Sequence, residues 1–230
     1  MRRTAFILVV LCVLVVFADL AFTFIFGLGN PVLIAPDGPC AYIVKPNQND
    51  YRFFCHIRIN QFGMRSAPFA TLPAPGALRI LFVGDSVTYG TTRVDQSKIF
   101  TQILRRNLPS VVHRPVEVLN ASADAWAIDN ELSYIRSRGI FHSALVVLVL
   151  NDADVTQARA TLADVGSELW LKRPSSALGE LWTHFRAKLL RRAPRTDAGD
   201  SVTSGAATTT HQNLADLDAF KVSSQLPGQG

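Results

Sequence analysis

Cysteine is scarce in this sequence, which has three among 230 residues: Cys12, Cys40 and Cys55. Cys12 lies inside an apolar run, where a cysteine behaves as a small hydrophobic residue. Cys40 and Cys55 follow that run, and two interpretations of them stay open. Either they form a disulfide that closes a loop of about 15 residues and contributes roughly 3 kcal/mol, or they are unpaired thiols. At most one disulfide is therefore available to the body of the protein.

The sequence also lacks the interleaved basic and aromatic residues that line a groove for single-stranded nucleic acid. Its net charge of +5 is modest. Arg2 and Arg3 supply part of that charge, and the other basic stretch runs from Lys172 to Arg195. We therefore exclude a nucleic-acid partner.

Only one hydrophobic run is long enough to cross a membrane. It extends from Thr4 to Leu28 and contains a single charge, Asp19. About 25 residues at 1.5 Å per residue span the hydrocarbon core with some tilt. Arg2 and Arg3 are expected to hold the amino end in the cytoplasm, which places the rest of the chain outside.

A cleaved signal peptide is the alternative, because Val16-Phe17-Ala18 offers small residues near a cleavage point. We favour an uncleaved signal anchor, since apolar residues resume beyond Asp19, from Leu20 to Phe26. The chain is then a single-pass protein of the cytoplasmic membrane, held in it through residues 4–28. Under either interpretation the body is exported, to the periplasm or the extracellular space.

The segment after the apolar run combines a connection, a strand and a linker. Gly29 to Pro46 is rich in proline and glycine, which is typical of a juxtamembrane connection. From Tyr51 to Asn60 apolar and polar residues alternate, which predicts one half-buried strand with His56 on its polar side. Ser66 to Gly76 contains three prolines and is expected to be a linker.

Three short apolar runs, separated by helical patterns, predict the fold class. Ile80 to Val83, Pro115 to Leu119 and Ala144 to Leu150 are expected to be buried strands. Helices are expected between them, over Gln96 to Leu108 and Asn130 to Arg138. This alternation predicts an α/β fold with a three-layer, doubly wound parallel sheet.

After the third strand the pattern changes twice. Ser176 to Arg192 is amphipathic, with an apolar stripe and a basic face. Such a helix rests on an anionic membrane surface, or it covers the sheet and turns its basic face to water. We expect the second arrangement. From Ala193 onward small and polar residues dominate, and residues 193–230 are expected to form a disordered tail.

Ser86 follows the first predicted strand, where the chain must turn sharply. Ligands of open α/β sheets bind at the carboxyl ends of the strands, so Ser86 stands where a nucleophile would; helix capping by Asp85 and Ser86 is the alternative. Residues 84–90, Gly-Asp-Ser-Val-Thr-Tyr-Gly, resemble the first sequence block of the GDSL/SGNH hydrolases. The resemblance implies that Ser86 is the nucleophile of ester hydrolysis or acyl transfer, supported by Gly84 and Asp85.

The resemblance extends to other parts of the chain. Residues 59–65, Ile-Asn-Gln-Phe-Gly-Met-Arg, are similar to the segment before the nucleophile in exported, membrane-anchored members. It also implies an oxyanion hole made by the backbone N–H groups of Ser86 and Ala125 and by the side chain of Asn151. Ala125 and Val149 stand where the family has glycine. Because a Cβ disfavours positive φ, we expect the Ala125 N–H to be poorly aimed.

The general base of the family is not found in this sequence. The family supplies it as a histidine in an Asp-x-x-His block after two further strands, and no such spacing exists here. The five histidines are His56, His113, His142, His184 and His211. None is a convincing partner for Ser86, so the base is unknown. The resemblance covers about residues 51–192, and the fold is expected to be incomplete at its carboxyl end.

These inferences divide the chain into four segments. They are a signal anchor (1–28), a juxtamembrane β segment and linker (29–76), a partial SGNH hydrolase-like domain (77–192) and the tail (193–230). The resemblance implies hydrolysis or transfer of small acyl groups, such as acetyl, on cell-envelope glycans or lipids, without a metal or organic cofactor. Because the base is missing, we expect this chain alone to be weak or inactive. A non-catalytic envelope binding protein that keeps the cleft, and a partner chain that completes the sheet, stay open as alternatives.

Overall fold

The computed structural model describes residues 2–191 apart from 153, 155 and 166–168. The segment expected to be a disordered tail, and His211 within it, lie outside the described residues. The amino-terminal run forms one helix, α1 (Arg2–Phe26). This helix is long and apolar enough to cross a membrane, a property that a signal sequence shares. Residues 2–17 are exposed, and other parts of the chain begin to cover α1 at Ala18.

Two antiparallel hairpins follow α1. Their strands are β1 (Ile34–Asp37), β2 (Ala41–Val44), β3 (Gln48–Arg52) and β4 (Cys55–Ile59). The prediction of one continuous strand is wrong at Phe53 and Phe54, which form the turn between β3 and β4. Their φ angles are 47° and 65°, and positive φ at both positions is what a two-residue hairpin turn of this twist requires. β4 itself shows the predicted alternation, with His56 on the exposed side.

Three parallel strands form the central sheet. They are β5 (Leu78–Gly84), β6 (Val116–Ser122) and β7 (Leu145–Val149), and they overlap the three predicted strands. Their order in the sheet is β6–β5–β7, and Ile80 of β5 lies opposite both Val118 and Leu145. Because β5 is in the middle, its carboxyl end lies between the ends of two other strands.

Helices cover both faces of this sheet. They are the one-turn helix α2 (Ser86–Tyr89) and the crossover helices α3 (Phe100–Val112) and α4 (Ile128–Arg138). Phe82 of β5 meets Phe100 of α3, with ring centroids 5.3 Å apart. Leu81 and Val83 lie in the opposite core, together with Ile135 of α4. The predicted α/β fold with a doubly wound parallel sheet is therefore confirmed for these three strands.

A buried arginine ties the proline-rich linker to the sheet. Arg79 of β5 forms an ion pair with Glu117 of β6 at 2.7 Å. The same guanidinium donates to the backbone carbonyls of Ala70, Thr71 and Phe141. A buried guanidinium needs several acceptors, and the linker carbonyls supply two of them. The linker is therefore held against the sheet by hydrogen bonds.

The last described helices are α5 (Leu162–Val165) and α6 (Ala177–Arg191). We expected the amphipathic helix to cover the sheet, but α6 packs against α1 instead. Asp19 of α1 accepts the N–H of Leu178 at 2.8 Å. The buried Glu180 accepts the N–H of Gly29 at 2.7 Å and pairs with Arg52 of β3. Polar contacts at its first turn therefore place this helix.

Cys40 and Cys55 are unpaired thiols, and both are buried. Burial, and next the neighbouring Asp37, raises the pKa of the Cys40 thiol to about 12. Cys55 lies elsewhere, and its sulfur donates to the carbonyl of Arg93 at 3.2 Å. Of the two interpretations that the sequence left open, the structure has the unpaired one.

Because both thiols are buried, we expect neither Cys40 nor Cys55 to react with a maleimide in the folded protein. Each should carry one adduct after unfolding without a reductant, as intact-protein mass spectrometry would show. A Cys12→Ala variant removes the exposed third site and simplifies the count. If both cysteines stayed unlabelled after unfolding and became reactive only with a reductant, they would be disulfide-bonded.

Candidate active site

Ser86 stands at the carboxyl end of the central strand, as the first residue of the one-turn helix α2. Asp85 caps this helix, since its Oδ1 accepts the N–H of Val87 at 2.8 Å. Gly90 ends the helix with a φ of 82° and donates its N–H to the carbonyl of Ser86 at 2.8 Å. A helix this short does not persist by itself, so these contacts at its ends matter for the position of the serine.

Gly84 allows α2 to lie close to the strand ends. A Cβ atom at this position would be 2.1 Å from Thr88 Oγ1 and 3.0 Å from the carbonyl oxygen of Val149. No side chain fits at the first of these distances. The glycine therefore permits the close approach of α2 to β5 and β7.

The Asp85 carboxylate connects the serine to the asparagine that follows β7. Its Oδ2 accepts a hydrogen bond from Asn151 Nδ2 at 2.9 Å and lies 3.5 Å from Ser86 Oγ. Asp85 is buried. Two predicted site residues from distant parts of the chain, Ser86 and Asn151, are thus brought together through a third that was predicted only to support them.

Ala125 has a positive φ of 63°. Ala125 thus adopts the conformation that we expected its Cβ to disfavour. The left-handed region costs an alanine roughly 1–2 kcal/mol. Contacts on either side hold the turn: Tyr42 Oη donates to the carbonyl of Asp124 at 2.7 Å, and Gln157 Nε2 donates to that of Ala125 at 3.2 Å. Within the described residues, no hydrogen bond forms from the N–H of Ala125 or from that of Ser86. Neither of these N–H groups is therefore occupied by a described residue.

Two buried side chains, neither of them a predicted site residue, bind the carbonyls at the end of α2. Asn120 Nδ2 donates to the carbonyl of Thr88 at 2.8 Å. Arg65 donates to the carbonyls of Tyr89, Thr91 and Val94. Burial lowers the pKa of the Arg65 guanidinium. The resemblance at residues 59–65 carried a signal for this arginine, whose role here is to position α2.

Glu131 and Asp154 bring two more carboxyl groups near Asp85. Asp154 is buried and accepts the backbone N–H of Asn151 at 2.7 Å. Glu131 is wholly buried, and neither of its carboxyl oxygens has a hydrogen-bond partner among the described residues. Burial, and next the charges of Asp154 and Asp85, raise the pKa of Glu131 to about 8. At neutral pH this carboxyl group is therefore mostly protonated and uncharged.

The sequence carried a signal for Glu131, although this residue was not among the predicted site residues. Glu131 lies on the buried face of α4, together with Ile128, Leu132 and Ile135. A carboxylate on an apolar face is rare unless it has a partner. No group of three His, Cys, Asp or Glu side chains in the described part of the chain is placed to hold a metal ion.

A cavity of about 390 Å³ lies next to the end of α2. Its wall includes Tyr89, the last residue of α2, and Asp124, which precedes Ala125. Trp170, His184 and Arg93 also line it. Burial is the main cause that raises the pKa of Asp124 to about 6. Arg93 is exposed and forms no ion pair with another described residue. The cavity thus combines aromatic surface with a cation that has no ion-pair partner among the described residues.

The four described histidines do not complete a serine–histidine pair. None of them forms a hydrogen bond with Ser86 in the part of the chain that the structure describes. His184 lies on the cavity wall, with its Nε2 3.6 Å from Glu180 Oε1. His113 caps the end of α3, and His56 is exposed on β4. His142 lies in the turn before β7.

Known proteins resemble this chain loosely, and they do so at the level of structure. Neither a comparison with protein-family models nor one with curated proteins gave a match. Among solved structures, the chain is similar to AlinE4, described as an SGNH-hydrolase family esterase, and to a point mutant of that esterase. Each comparison has a TM-score of 0.31 and 14% identity and covers 66% of this chain and 98% of the other. A likeness this loose gives no residue correspondence for the site.

Replacing Glu131 with glutamine should change the pH dependence of stability. Because burial raises its pKa from 4.5 to about 8, the folded state holds the proton more tightly than the unfolded state does. The wild-type protein therefore loses stability as the pH rises from about 4.5 through about 8. Glu131→Gln cannot ionise, so we expect it to be more stable than wild type at pH 9, by on the order of a few kcal/mol.

The measurement is the thermal or denaturant midpoint at pH 5 and pH 9. Asp129→Asn, in the first turn of the same helix, is the matched control and should show little difference between the two pH values. A Glu131→Gln effect of equal size at both pH values would contradict a raised pKa in the folded state.

Proposed function

We propose that this chain carries the acyl-ester site of an SGNH-type serine hydrolase or acyltransferase. The observation that supports this proposal is the contact of Asp85 with both Ser86 and Asn151. Ser86 and Asn151 are the residues to which the sequence resemblance assigns the nucleophile and an oxyanion donor. They meet where strands of a parallel α/β sheet end, which is where such folds bind ligands.

In the proposed reaction Ser86 Oγ attacks an acyl carbonyl, and negative charge develops on the carbonyl oxygen. The N–H groups of Ser86 and Ala125, which have no partner among the described residues, would donate to that oxygen. Asp85 accepts a hydrogen bond from Asn151, the side chain that the resemblance implies as the third donor. Loss of one such donor typically lowers the rate by about 10²- to 10³-fold.

The proposed reaction also needs a base that takes the hydroxyl proton of Ser86. Among the described residues, Asp85 is the carboxylate that contacts Ser86 Oγ, and 3.5 Å is long for a hydrogen bond. A carboxylate is also a poorer base than an imidazole. We therefore propose that this chain hydrolyses esters slowly when it acts alone.

The cavity beside α2 supports an acylated glycan or lipid as the substrate class. Trp170 offers a flat apolar surface of the kind on which a sugar ring or acyl chain packs. Arg93, without an ion-pair partner among the described residues, can bind an anionic group of the same molecule. The exported location proposed below would bring this cavity to cell-envelope material.

A non-catalytic envelope binding protein is the second candidate. It is favoured by one observation, which is that Ser86 has no histidine partner among the described residues. Such a protein would keep the cavity and lose the chemistry. Under this proposal Ser86 and Asp85 serve to cap α2.

The two candidates differ in ester turnover by the purified full-length chain. We expect slow hydrolysis of p-nitrophenyl acetate that falls to the background rate in Ser86→Ala. The rate should be low, because loss of the base removes most of the rate of serine hydrolases and a carboxylate such as Asp85 is a weak substitute. Ser110→Ala, an exposed serine on α3, is the matched control and should keep the wild-type rate.

Equal rates in wild type and Ser86→Ala would favour the binding protein. Fast turnover that depends on Ser86 would contradict the expected weak activity, because it requires an efficient base. His211, outside the described residues, would then be the first histidine to replace.

We also propose that α1 is an uncleaved anchor and that the body lies outside the cytoplasmic membrane. A phosphatase reporter that works only after export should be active when fused after Gly230, because Arg2 and Arg3 favour a cytoplasmic amino end. Replacing both with glutamate should lower that activity. The proposed topology would be contradicted if the phosphatase were inactive and a reporter that works only in the cytoplasm were active at the same fusion point.

A further inference from the structure

Helix α6 turns its apolar face away from the protein. The side chains of Ala177 and Glu180 are completely buried. Trp182, Phe185 and Leu189 are 63%, 56% and 53% exposed. A surface helix of a soluble domain has the opposite arrangement, because its apolar stripe packs on the core. We call Trp182, Phe185 and Leu189 the outer face of α6.

Buried polar contacts fix this orientation. Glu180 accepts the Gly29 N–H and pairs with Arg52, itself buried. Burial opposes the ionisation of Glu180, yet the hydrogen bonds from Arg52 and Gly29 outweigh it and lower its pKa. Rotating the helix to bury its apolar stripe would separate Glu180 from Arg52 and leave a buried charge without its partner, which is strongly destabilising. These contacts therefore keep the outer face exposed on the surface of the protein.

The length of α1 shows how far from the membrane this face lies. Residues 2–17 of α1 are exposed without interruption, and sixteen residues at 1.5 Å per residue extend about 24 Å. The hydrocarbon core of a bilayer is about 30 Å thick. A membrane crossed by α1 therefore reaches past Ala18, to the level at which Asp19 binds the first turn of α6.

An exposed aromatic side chain also lies next to the end of α1. Phe54, in the β3–β4 turn, is 65% exposed and packs against Phe26 of α1, with ring centroids 5.8 Å apart. Two exposed cations belong to the same part of the chain: Lys172 precedes α6, and Arg186 lies within it. Aromatic side chains flanked by cations are typical of helices that lie at a membrane surface.

We propose that the outer face of α6, together with Phe54, lies in the boundary between headgroups and acyl chains of the leaflet from which α1 emerges. This inference rests on the proposed membrane anchor and goes beyond it, because it assigns a second membrane contact that holds the body in one orientation. Lipid is the occupant because α6 packs against α1, the proposed anchor, and its first turn is bound to Asp19 of that helix. The exposed cations suit anionic headgroups.

The test uses full-length protein in lipid vesicles and a polarity-sensitive NBD label on single cysteines. The background is Cys12→Ala, in which Cys40 and Cys55 are buried and are expected not to label in the folded state. Phe185→Cys and Leu189→Cys probe the outer face, and testing them separately leaves one apolar residue intact each time. Val9→Cys probes the exposed part of α1, and Val111→Cys, exposed on α3, is the matched control for a surface in water.

We expect labels at positions 9, 185 and 189 to emit at a shorter wavelength than the label at position 111. Quenchers attached to lipid acyl chains should remove most of their fluorescence. The label at position 111 should keep its fluorescence. If position 9 is quenched while 185 and 189 behave like 111, the inference is overturned and the anchor stands. A blue-shifted label at 185 that lipid quenchers do not reach would mean that protein covers the face, which also overturns it. Absence of quenching at position 9 would remove the anchor and the inference together.

Discussion

A buried guanidinium holds the end of the helix on which the candidate nucleophile stands. Arg65 binds the carbonyls of Tyr89, Thr91 and Val94, and its own backbone N–H donates to Asn120 of β6. A one-turn helix has too few internal hydrogen bonds to persist alone, so its carbonyls need external donors. Because Arg65 has no carboxylate partner in these contacts, its charge is stabilised by neutral dipoles, and losing them would leave an isolated buried cation.

Two other buried arginines have comparable roles in different parts of the molecule. Arg79 binds the linker to the sheet, and Arg52 binds α6 to the β3–β4 hairpin. A sheet of three strands offers little apolar area on which further segments can pack. The guanidinium group, with five donors in a fixed geometry, binds carbonyls of several segments at once. The segments around the sheet are thus placed by hydrogen bonds that are costly to break, because each leaves unpaired polar groups inside the protein.

The sequence predicted those features that depend on local hydrophobic pattern. The runs around Phe82, Leu119 and Val147 became parallel strands, because an apolar segment of that length has few other ways to be buried. The turn at Phe53 and Phe54 was missed because neither residue is one of those that usually take positive φ. The direction of α6 could not be predicted, since amphipathic spacing shows which side chains share a face but not whether that face meets protein or lipid. That Glu131 and Asp154 lie near Asp85 could not be predicted either, because their proximity depends on the tertiary packing of segments distant in sequence.

The central position of β5 also bears on the order in which the molecule folds. The two hairpins pair residues that are close in sequence, whereas β5 pairs Leu78 with Val116 and Ile80 with Leu145. Contacts between distant residues form later, because the chain between them must lose entropy before the contact stabilises it. The hydrogen bond between Asn151 and Asp85 also joins distant residues, which are 66 positions apart in the sequence. During synthesis Ser86 therefore leaves the ribosome well before Asn151 does. The candidate site can form only after β7, the third strand, has paired with β5.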